Sequence, residues 1–255
     1  MDEEDEEALK SRLILRDDAL GVAEVRLVGG LDVAYAKGSD GVGDMAVACL
    51  VVLTFPSLQR CYTDTISFEI QAPYAPGFLA RREAPAMIRL LERVKERKKS
   101  GQEAAVPDVV LVDGNGTMHP RRFGIACRVG VVADVPAIGV SKNFLALEDL
   151  DAHSTKEAIL ARMAPTEDLG EDTALPAHER QCVLHCIDDA QVGCAVMAPS
   201  SRVPVFVSPG HRVSLQTAVS IVRRSQVYRI PEPIRHADAE ARAALRRHIS
   251  GGKGR

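Results

Sequence analysis

Apolar stretches alternate with short polar turns along the first third of the chain. Strands are predicted over residues 22–35, 45–55 and 58–70, because each run is rich in β-branched residues and is bounded by turn residues. Short connections between consecutive strands are typical of antiparallel pairing, so we expect a three-stranded meander. Gly29 and Gly30 interrupt the first run, and they predict a bulge or the end of one register there.

The pattern changes to helical spacing in the next segment. Apolar residues recur at helical spacing as far as Lys99, and Pro85 suits the first turn of that helix because its missing N–H is not needed there. A buried strand over residues 107–113, a helix over 123–134 and a short strand over 135–142 follow. Two strand–helix units of this kind favour parallel pairing with a right-handed crossover.

The last third predicts a mixed set of elements. They are a surface helix over 153–163, an irregular stretch over 165–180, a hairpin over 183–198 turning at Asp188-Asp189, a strand over 203–207, and helices over 214–223, with Ser214 as N-cap, and over 237–248. The whole order outlines an α/β, ribonuclease-H-like fold. Its mixed sheet has three antiparallel strands followed by parallel strand–helix units, and helices flank it.

The expected domain organisation is simple. We predict one domain over residues 1–250, with an acidic, flexible N-terminus at 1–8 and a short helical segment over 8–16. The last residues, 251–255, predict a disordered basic tail. Such a domain is long enough to bury a substantial core. We expect a monomer, and no motif in the sequence identifies a protein partner.

Composition narrows the classes of function. The net charge is −3, so the chain lacks the global basic character of many nucleic-acid binders, although a local basic groove stays open. It has no apolar run of about 18 residues, which argues against a membrane span. The acidic start is unlike a secretory or mitochondrial leader, and the six cysteines are then expected to be reduced. We expect a cytoplasmic protein, with the nucleus or nucleolus also open to it.

Two carboxylates stand out from their apolar surroundings. Asp32 lies inside an apolar strand and Asp113 ends another, in strands that neighbour each other in the outlined fold. They are therefore expected to share a hard cation such as Mg²⁺. Glu83 is placed to approach from a helix start, and His211 lies between a strand and a helix. Each also has an ordinary interpretation: an Asp paired with an Arg, an acid favoured by a helix dipole, and a turn histidine.

The loop after Asp113 has little side-chain bulk. Gly114 and Gly116 leave the backbone open to a ligand, and Arg121 and Arg122 indicate that such a ligand is anionic, a phosphate above all. The alternative is that this stretch is only a turn, since Asp, Asn and Gly are common turn residues.

Five stretches in chain order carry a resemblance to one known family. They contain the Asp32 strand, a rigid Pro-Tyr-Ala-Pro-Gly corner at residues 73–77, the Asp113 loop, the strand that ends at Lys142 and the His211 turn. Together they resemble the motifs of the endonuclease V family, in its animal-like form, which is also described as deoxyinosine 3′-endonuclease or inosine-specific endoribonuclease. The matching stretches are residues 30–35, 73–83, 112–124, 138–142 and 208–215.

The resemblance implies a role for each matching residue. Asp32, Asp113 and Glu83 would hold Mg²⁺, or Mn²⁺ in its place, and the metal would activate water and polarise a phosphodiester. Lys142 would neutralise charge on the scissile phosphate, and His211 would complete the catalytic set. Residues implied in nucleic-acid binding are Pro73, Tyr74, Pro76, Gly77, Leu79, Arg82, Gly114, Asn115, Gly116, His119, Arg121 and Arg122.

The resemblance also implies how a base is recognised. Tyr74 would be the wedge that keeps the strand open once inosine is turned out, although packing at a corner is the plain alternative. Backbone groups over 77–79 and 114–116 would bind the carbonyl and N1–H that distinguish hypoxanthine from adenine. The absent glycine side chains would leave room for the base, and His119 would close the pocket.

The implied activity is hydrolysis of the second phosphodiester 3′ to inosine, leaving a 5′-phosphate and a 3′-hydroxyl. At position 115 the chain has Asn, as in the animal members, where bacterial members usually have His; this favours inosine-containing single-stranded RNA as the substrate. At position 81 it has Arg, where many members have an apolar residue, which predicts a more basic groove. The alternatives are a deoxyinosine-specific DNA repair enzyme, a non-catalytic inosine-binding protein and a structure-specific nuclease.

A second cluster of potential metal ligands carries less weight. The order of its residues gives no paired C-x-x-C units, and a hairpin is predicted across them, which disfavours a zinc site. Its members are His178, Cys182, His185, Cys186 and Cys194.

Overall fold

One mixed sheet organises the molecule. The computed structural model of the chain describes residues 3–17, 21–36, 44–70, 79–163 and 181–251. Within them the backbone forms an eight-stranded sheet in the order β3-β2-β1-β4-β5-β8-β7-β6. The strands are β1 Leu27–Tyr35, β2 Met45–Thr54, β3 Arg60–Glu69, β4 Val109–Asp113, β5 Ala137–Ser141, β6 Gln181–His185, β7 Gln191–Val196 and β8 Val205–His211.

The strand directions confirm the predicted α/β mixed sheet. β1 runs parallel to β4, and β4 to β5, whereas every other pair of neighbours among these strands is antiparallel. The first and fourth strands are therefore neighbours, as the outlined fold requires. The predicted strand and hairpin of the last third belong to this sheet as well, because β8, β7 and β6 extend it.

Helices cover both faces of the sheet. They are α1 Glu3–Lys10, α2 Leu79–Lys99, α3 Ile125–Ala133, α4 Lys156–Arg162, α5 Leu215–Arg224 and α6 Glu232–Gly251, with a 3-10 turn at Ala152–Ser154. One face packs on α2 and α3, and the other packs on α5 and α6. Burial on both faces explains the uninterrupted apolar runs of the central strands. Among the described helices, none has the length and apolarity to cross a bilayer.

Two local predictions in the last third are confirmed. β6 and β7 form the predicted hairpin, and Asp189 in its turn has a positive φ of 66°. Ser214 caps α5, because its side chain accepts a hydrogen bond from the Thr217 N–H. The predicted irregular stretch over 165–180 and the tail beyond Gly251 lie outside the described residues.

Gly29 and Gly30 neither bulge nor end the first strand. β1 continues through both residues in unbroken register with β2. A Cβ on Gly30 would lie 2.0 Å from the Pro233 carbonyl oxygen, so this glycine permits close approach of α6 to the strand. The glycine pair therefore reflects helix–sheet packing rather than a change of register.

The first two helices begin earlier in the chain than the sequence predicts. Residues 3–10 form α1, where a poorly structured acidic cap was expected, because Glu6 pairs with Arg121 and Leu9 packs against the α3 cluster. α2 begins at Leu79, so Pro85 lies inside the helix instead of at its start. Its ring faces solvent, and the helix lacks one backbone hydrogen bond there because proline has no N–H.

Candidate active site

The two strand carboxylates meet at one edge of the sheet. Leu31 of β1 pairs with Val112 of β4 in parallel register, so the next residues, Asp32 and Asp113, lie side by side. Asp113 is the last residue of β4, and Asp32 lies beside it where β1 extends past its parallel partner. The carboxyl ends of parallel strands are the edge at which open α/β sheets commonly bind ligands. The structure therefore brings together the two residues that the sequence singled out first.

Lys142 links these carboxylates. Its Nζ lies 2.6 Å from Asp113 Oδ2 and 3.7 Å from Asp32 Oδ2. Asp32 is only 5% exposed; its Oδ1 accepts a hydrogen bond from the Val33 N–H at 2.7 Å, whereas its Oδ2 accepts none within the described part of the chain. Burial and the nearby Asp113 raise the pKa of Asp32 to about 8. Burial lowers the pKa of Lys142, but the two carboxylates outweigh it and the net shift is upward.

Glu83 reaches the same pocket from α2. It is buried, and the Tyr35 hydroxyl donates a hydrogen bond to its Oε1 at 2.5 Å. Burial raises the pKa of Glu83 to about 7 against the opposing effect of this hydrogen bond. The Arg82 guanidinium, also buried, lies 5.1 Å from the centre of the Tyr35 ring. Arg82 therefore contributes to the wall behind the carboxylates.

His211 is not brought to this edge. It ends β8 instead of lying in a loop, and it registers with Ala137 at the start of β5, whereas Asp113 lies at the end of β4. The ring is buried, and its Nδ1 accepts a hydrogen bond from the Ile14 N–H at 3.3 Å. In this position His211 holds the N-terminal segment through Ile14, and its catalytic role stays a prediction.

Asp238 is a carboxylate that the sequence interpretation missed. It lies on α6, where Arg242 Nε donates a hydrogen bond to its Oδ1 at 2.6 Å. Its charge acts on the centre, because it contributes to the raised pKa of Asp32 and of Lys142. A charged residue on a charge-rich helix carries no local signal, and only the docking of α6 on β1 brings it near the other acids.

A pocket of about 720 Å³ surrounds these groups. Beside the acids and Lys142, its lining includes Asn115, His119 and Arg121. The Asn115 Oδ1 is buried and accepts no hydrogen bond from any described residue. Arg121 Nε donates to Glu6 Oε1 at 2.6 Å, so a carboxylate of the N-terminal helix already occupies one side of this guanidinium.

The glycines of the Asp113 loop do not leave empty space. A Cβ on Gly116 would lie 2.1 Å from the Pro209 carbonyl oxygen, and one on Gly114, whose φ is +139°, would lie 2.5 Å from an Ile125 methyl carbon. Several backbone groups are also engaged: the Gly114 N–H donates to the Val140 carbonyl and the Gly116 N–H to Ser208 Oγ. The space beside these two glycine Cα atoms is thus filled by β8 and α3, and the base site stays a prediction.

The other predicted contacts fall in three places. Arg122 forms an ion pair with Asp149 and does not line the pocket. Leu79 is described in its backbone alone, and the side chain of Arg81 is likewise outside the description. The corner residues Pro73, Tyr74, Pro76 and Gly77 lie outside the described residues.

A mixed α/β sheet with clustered carboxylates, a lysine and an arginine at its carboxyl edge defines a nuclease of the ribonuclease-H-like class. The family model for Endonuclease V matches residues 7–239. The chain therefore belongs to the endonuclease V family, and it is an endonuclease. This assignment argues against the non-catalytic alternative.

Endonuclease V proteins of other organisms are similar to this chain in sequence and in structure. Mouse Endonuclease V is 38% identical over 248 residues, which cover 94% of this chain and 68% of the mouse protein. The crystal structure of the catalytic domain of human Endonuclease V has a TM-score of 0.82 at 32% identity, covering 97% of this chain and 95% of that one. Ciona intestinalis Endonuclease V, in complex with a 23mer DNA containing an inosine followed by a ribo-adenosine, gives a TM-score of 0.81 at 31% identity, covering 96% and 95%.

Proposed function

We propose that this endonuclease hydrolyses inosine-containing single-stranded RNA with the help of a divalent metal, Mg²⁺ or Mn²⁺. It cuts the second phosphodiester 3′ to inosine and leaves a 5′-phosphate and a 3′-hydroxyl. The observation that carries the proposal is the meeting of Asp32 and Asp113 around the Lys142 ammonium, at an edge that Glu83 and Arg121 also face.

The donor set fits a hard cation. Two carboxylates that lie together in a buried place repel each other, and an oxygen-ligated cation removes that cost. Asp32 Oδ2, buried and without a hydrogen bond among the described residues, is a free ligand oxygen. In the described part, no group of three or more His, Cys, Asp and Glu side chains lies ready-made for a metal. Asp32 and Asp113 are therefore the core of the site, and Glu83 is the next ligand or holds its water.

The chain's own groups prepare the phosphate for attack. When bound, the metal would supply Lewis acidity and a more acidic water. Lys142, now shared by two carboxylates, would place its positive charge against the scissile phosphate. Asp238, on α6, would add negative charge to the site, because it already helps to raise the pKa of both Asp32 and Lys142.

Asn115 supports recognition of the base. Hypoxanthine presents an N1–H donor where adenine has only an acceptor. The Asn115 Oδ1 is a buried acceptor without a partner among the described residues, in a side chain that lines the pocket. The N1–H of hypoxanthine would satisfy it, whereas N1 of adenine carries no hydrogen and cannot donate to it; a buried acceptor left unpaired costs about 1–3 kcal/mol.

A 2′-hydroxyl in the ligand of a related protein supports the preference for RNA. A single-residue variant of the Ciona protein was crystallised with a 23mer DNA in which a ribo-adenosine follows the inosine, so one 2′-hydroxyl is present directly after the inosine in that complex. A contact to the 2′-hydroxyl is the means by which a protein separates RNA from DNA. The rival is a repair enzyme for deoxyinosine in DNA, which would not need that contact.

A four-strand panel tests substrate choice. Otherwise identical single strands carry inosine or adenosine, on a ribose or a deoxyribose backbone, at equal salt. We expect cleavage of the inosine strands alone, with the ribose strand cut faster. Equal cutting of the adenosine strands would contradict inosine recognition, and faster cutting of the deoxyribose strand would favour the repair enzyme.

Metal removal and one variant test the chemistry. Chelation should abolish cleavage, and Mg²⁺ or Mn²⁺ should restore it. Asp113→Ala should abolish cleavage of the inosine strand while leaving much of the binding, because the phosphate contacts of Arg121 remain. Wild-type cutting by this variant would refute the mechanism.

A further inference from the structure

An exposed aromatic residue lies beside the active site and takes no part in the chemistry described above. Tyr228, in the loop between α5 and α6, is 56% exposed, and Val203 and Val227 beside this loop are also among the exposed large apolar residues. Exposed aromatic rings of this kind are the usual platforms on which unpaired nucleobases stack.

The loop is tied to the catalytic lysine. The guanidinium of Arg229, the next residue, donates hydrogen bonds to the backbone carbonyl of Lys142 and to that of Pro204. The backbone of Tyr228 is therefore held at a defined place next to the edge where Lys142 meets the carboxylates. A base that rests on this ring would belong to the same strand as the scissile phosphate.

A cation already backs the ring. The Arg235 guanidinium lies 5.4 Å from the centre of the Tyr228 ring, and it is held by two contacts with Glu232. Arg235 is three residues before Asp238 on α6, so the two side chains lie on one helix face about 5–6 Å apart at their Cβ atoms. The Tyr228–Arg235 pair therefore lies next to the part of α6 that carries Asp238.

We propose that Tyr228, backed by Arg235, is a stacking subsite for an unpaired nucleobase of the substrate strand, adjacent to the scissile phosphate. The inference rests on the proposed function only in taking a nucleic-acid strand as the substrate. Stacking uses the face of the base, so the subsite accepts any base and adds affinity without adding inosine selectivity. The positive charge of Arg235 also suits the strand's phosphates.

The test is binding of fluorescein-labelled 12-nucleotide single strands, measured by anisotropy in Ca²⁺ or chelator to prevent cleavage. Tyr228→Ala should weaken binding about 5- to 100-fold, equally for an inosine and an adenosine strand, whereas Tyr228→Phe keeps most of it. Ile187→Ala is the matched control, because Ile187 is 77% exposed at the β6–β7 turn, away from the pocket. It should change binding by less than twofold.

An abasic scan separates stacking from structure. Strands with one base removed at successive positions should include a position at which wild type and Tyr228→Ala bind equally, since the contact is then already lost. Binding by Tyr228→Ala within twofold of wild type, or a loss that persists at every abasic position, would overturn the subsite. If the Ala variant does not fold, Tyr228→Leu undergoes the same scan. Failure of inosine selectivity would leave these results unchanged, so the two proposals fail separately.

Discussion

Gly30→Ala tests the packing that brings α6, and with it Asp238, to the active site. The new Cβ would lie 2.0 Å from the Pro233 carbonyl oxygen, and ordinary contact begins at 3.4 Å, so the helix must move by more than 1 Å. The obstacle is backbone, which cannot rotate away. α6 buries Ile234, Ala237, Ala241 and Leu245 against the sheet face it covers, a burial that contributes about 6 kcal/mol.

A gap of this size removes about a quarter to a half of the dispersion contacts. We therefore expect the free energy of unfolding to fall by about 2–3 kcal/mol, within the range of severe core overpacking. The folded fraction should also cleave more slowly, because Asp238 moves with the helix. Urea unfolding and single-turnover cleavage measure the two effects.

Gly29→Ala is the matched control in the same strand. Its Cβ would meet side-chain atoms of Val110 and Pro107 at 3.0–3.2 Å, and these can shift by a few tenths of an ångström. Loss of backbone entropy in the unfolded chain offsets part of that strain, so we expect a change within about 1 kcal/mol. Equal stability of the two variants would refute the explanation of why β1 carries a glycine pair.

Three further predictions concern single side chains. Glu6→Gln should raise affinity for single strands about threefold and steepen the slope of log affinity against log salt concentration by up to about 0.7, because Glu6 neutralises Arg121. The control Glu7→Gln, at a side chain that is 78% exposed, should do less. Equal effects of the two variants in salt titrations would indicate long-range charge alone. Asp238→Asn should slow single-turnover cleavage about 10- to 100-fold without lowering the melting temperature; an unchanged rate would remove Asp238 from the site. Native thiol titration should find one fast cysteine, Cys61, and Cys61→Ser should abolish it; a second fast thiol would contradict the burial of the others.

The positions of Asp32 and Asp113 were predictable because their strands have a clear sequence signal. Apolar, β-branched runs around Asp32 and Asp113 indicate buried strands, and the order of elements makes those strands parallel neighbours. A carboxylate in each of two neighbouring parallel strands is then expected to lie at the same edge of the sheet. The three-stranded meander, the parallel β1–β4 pair, the hairpin and the Ser214 cap followed from similar local signals, whereas the extension of the sheet by β8, β7 and β6 did not.

His211 and Asp238 show where local signals end. The Ser-Pro-Gly-His stretch has the composition of a turn. It is nevertheless the end of strand β8, and its pairing with β5 has a register shift between Ala137 and Ile138. Asp238 is one acid among many charges on α6, and its place depends on a contact between Gly30 and Pro233. Both positions are consequences of tertiary packing between segments far apart in sequence.

The acids of the active site come from β1, α2, β4 and α6, and they extend from residue 32 to residue 238. Contacts over such sequence separations form late, because a long loop must close before they contribute. A growing chain therefore acquires its nuclease centre only after α6 has docked, when nearly all of the fold is complete. In refolding experiments, we therefore expect full cleavage to recover only with the docking of α6, later than the formation of the sheet.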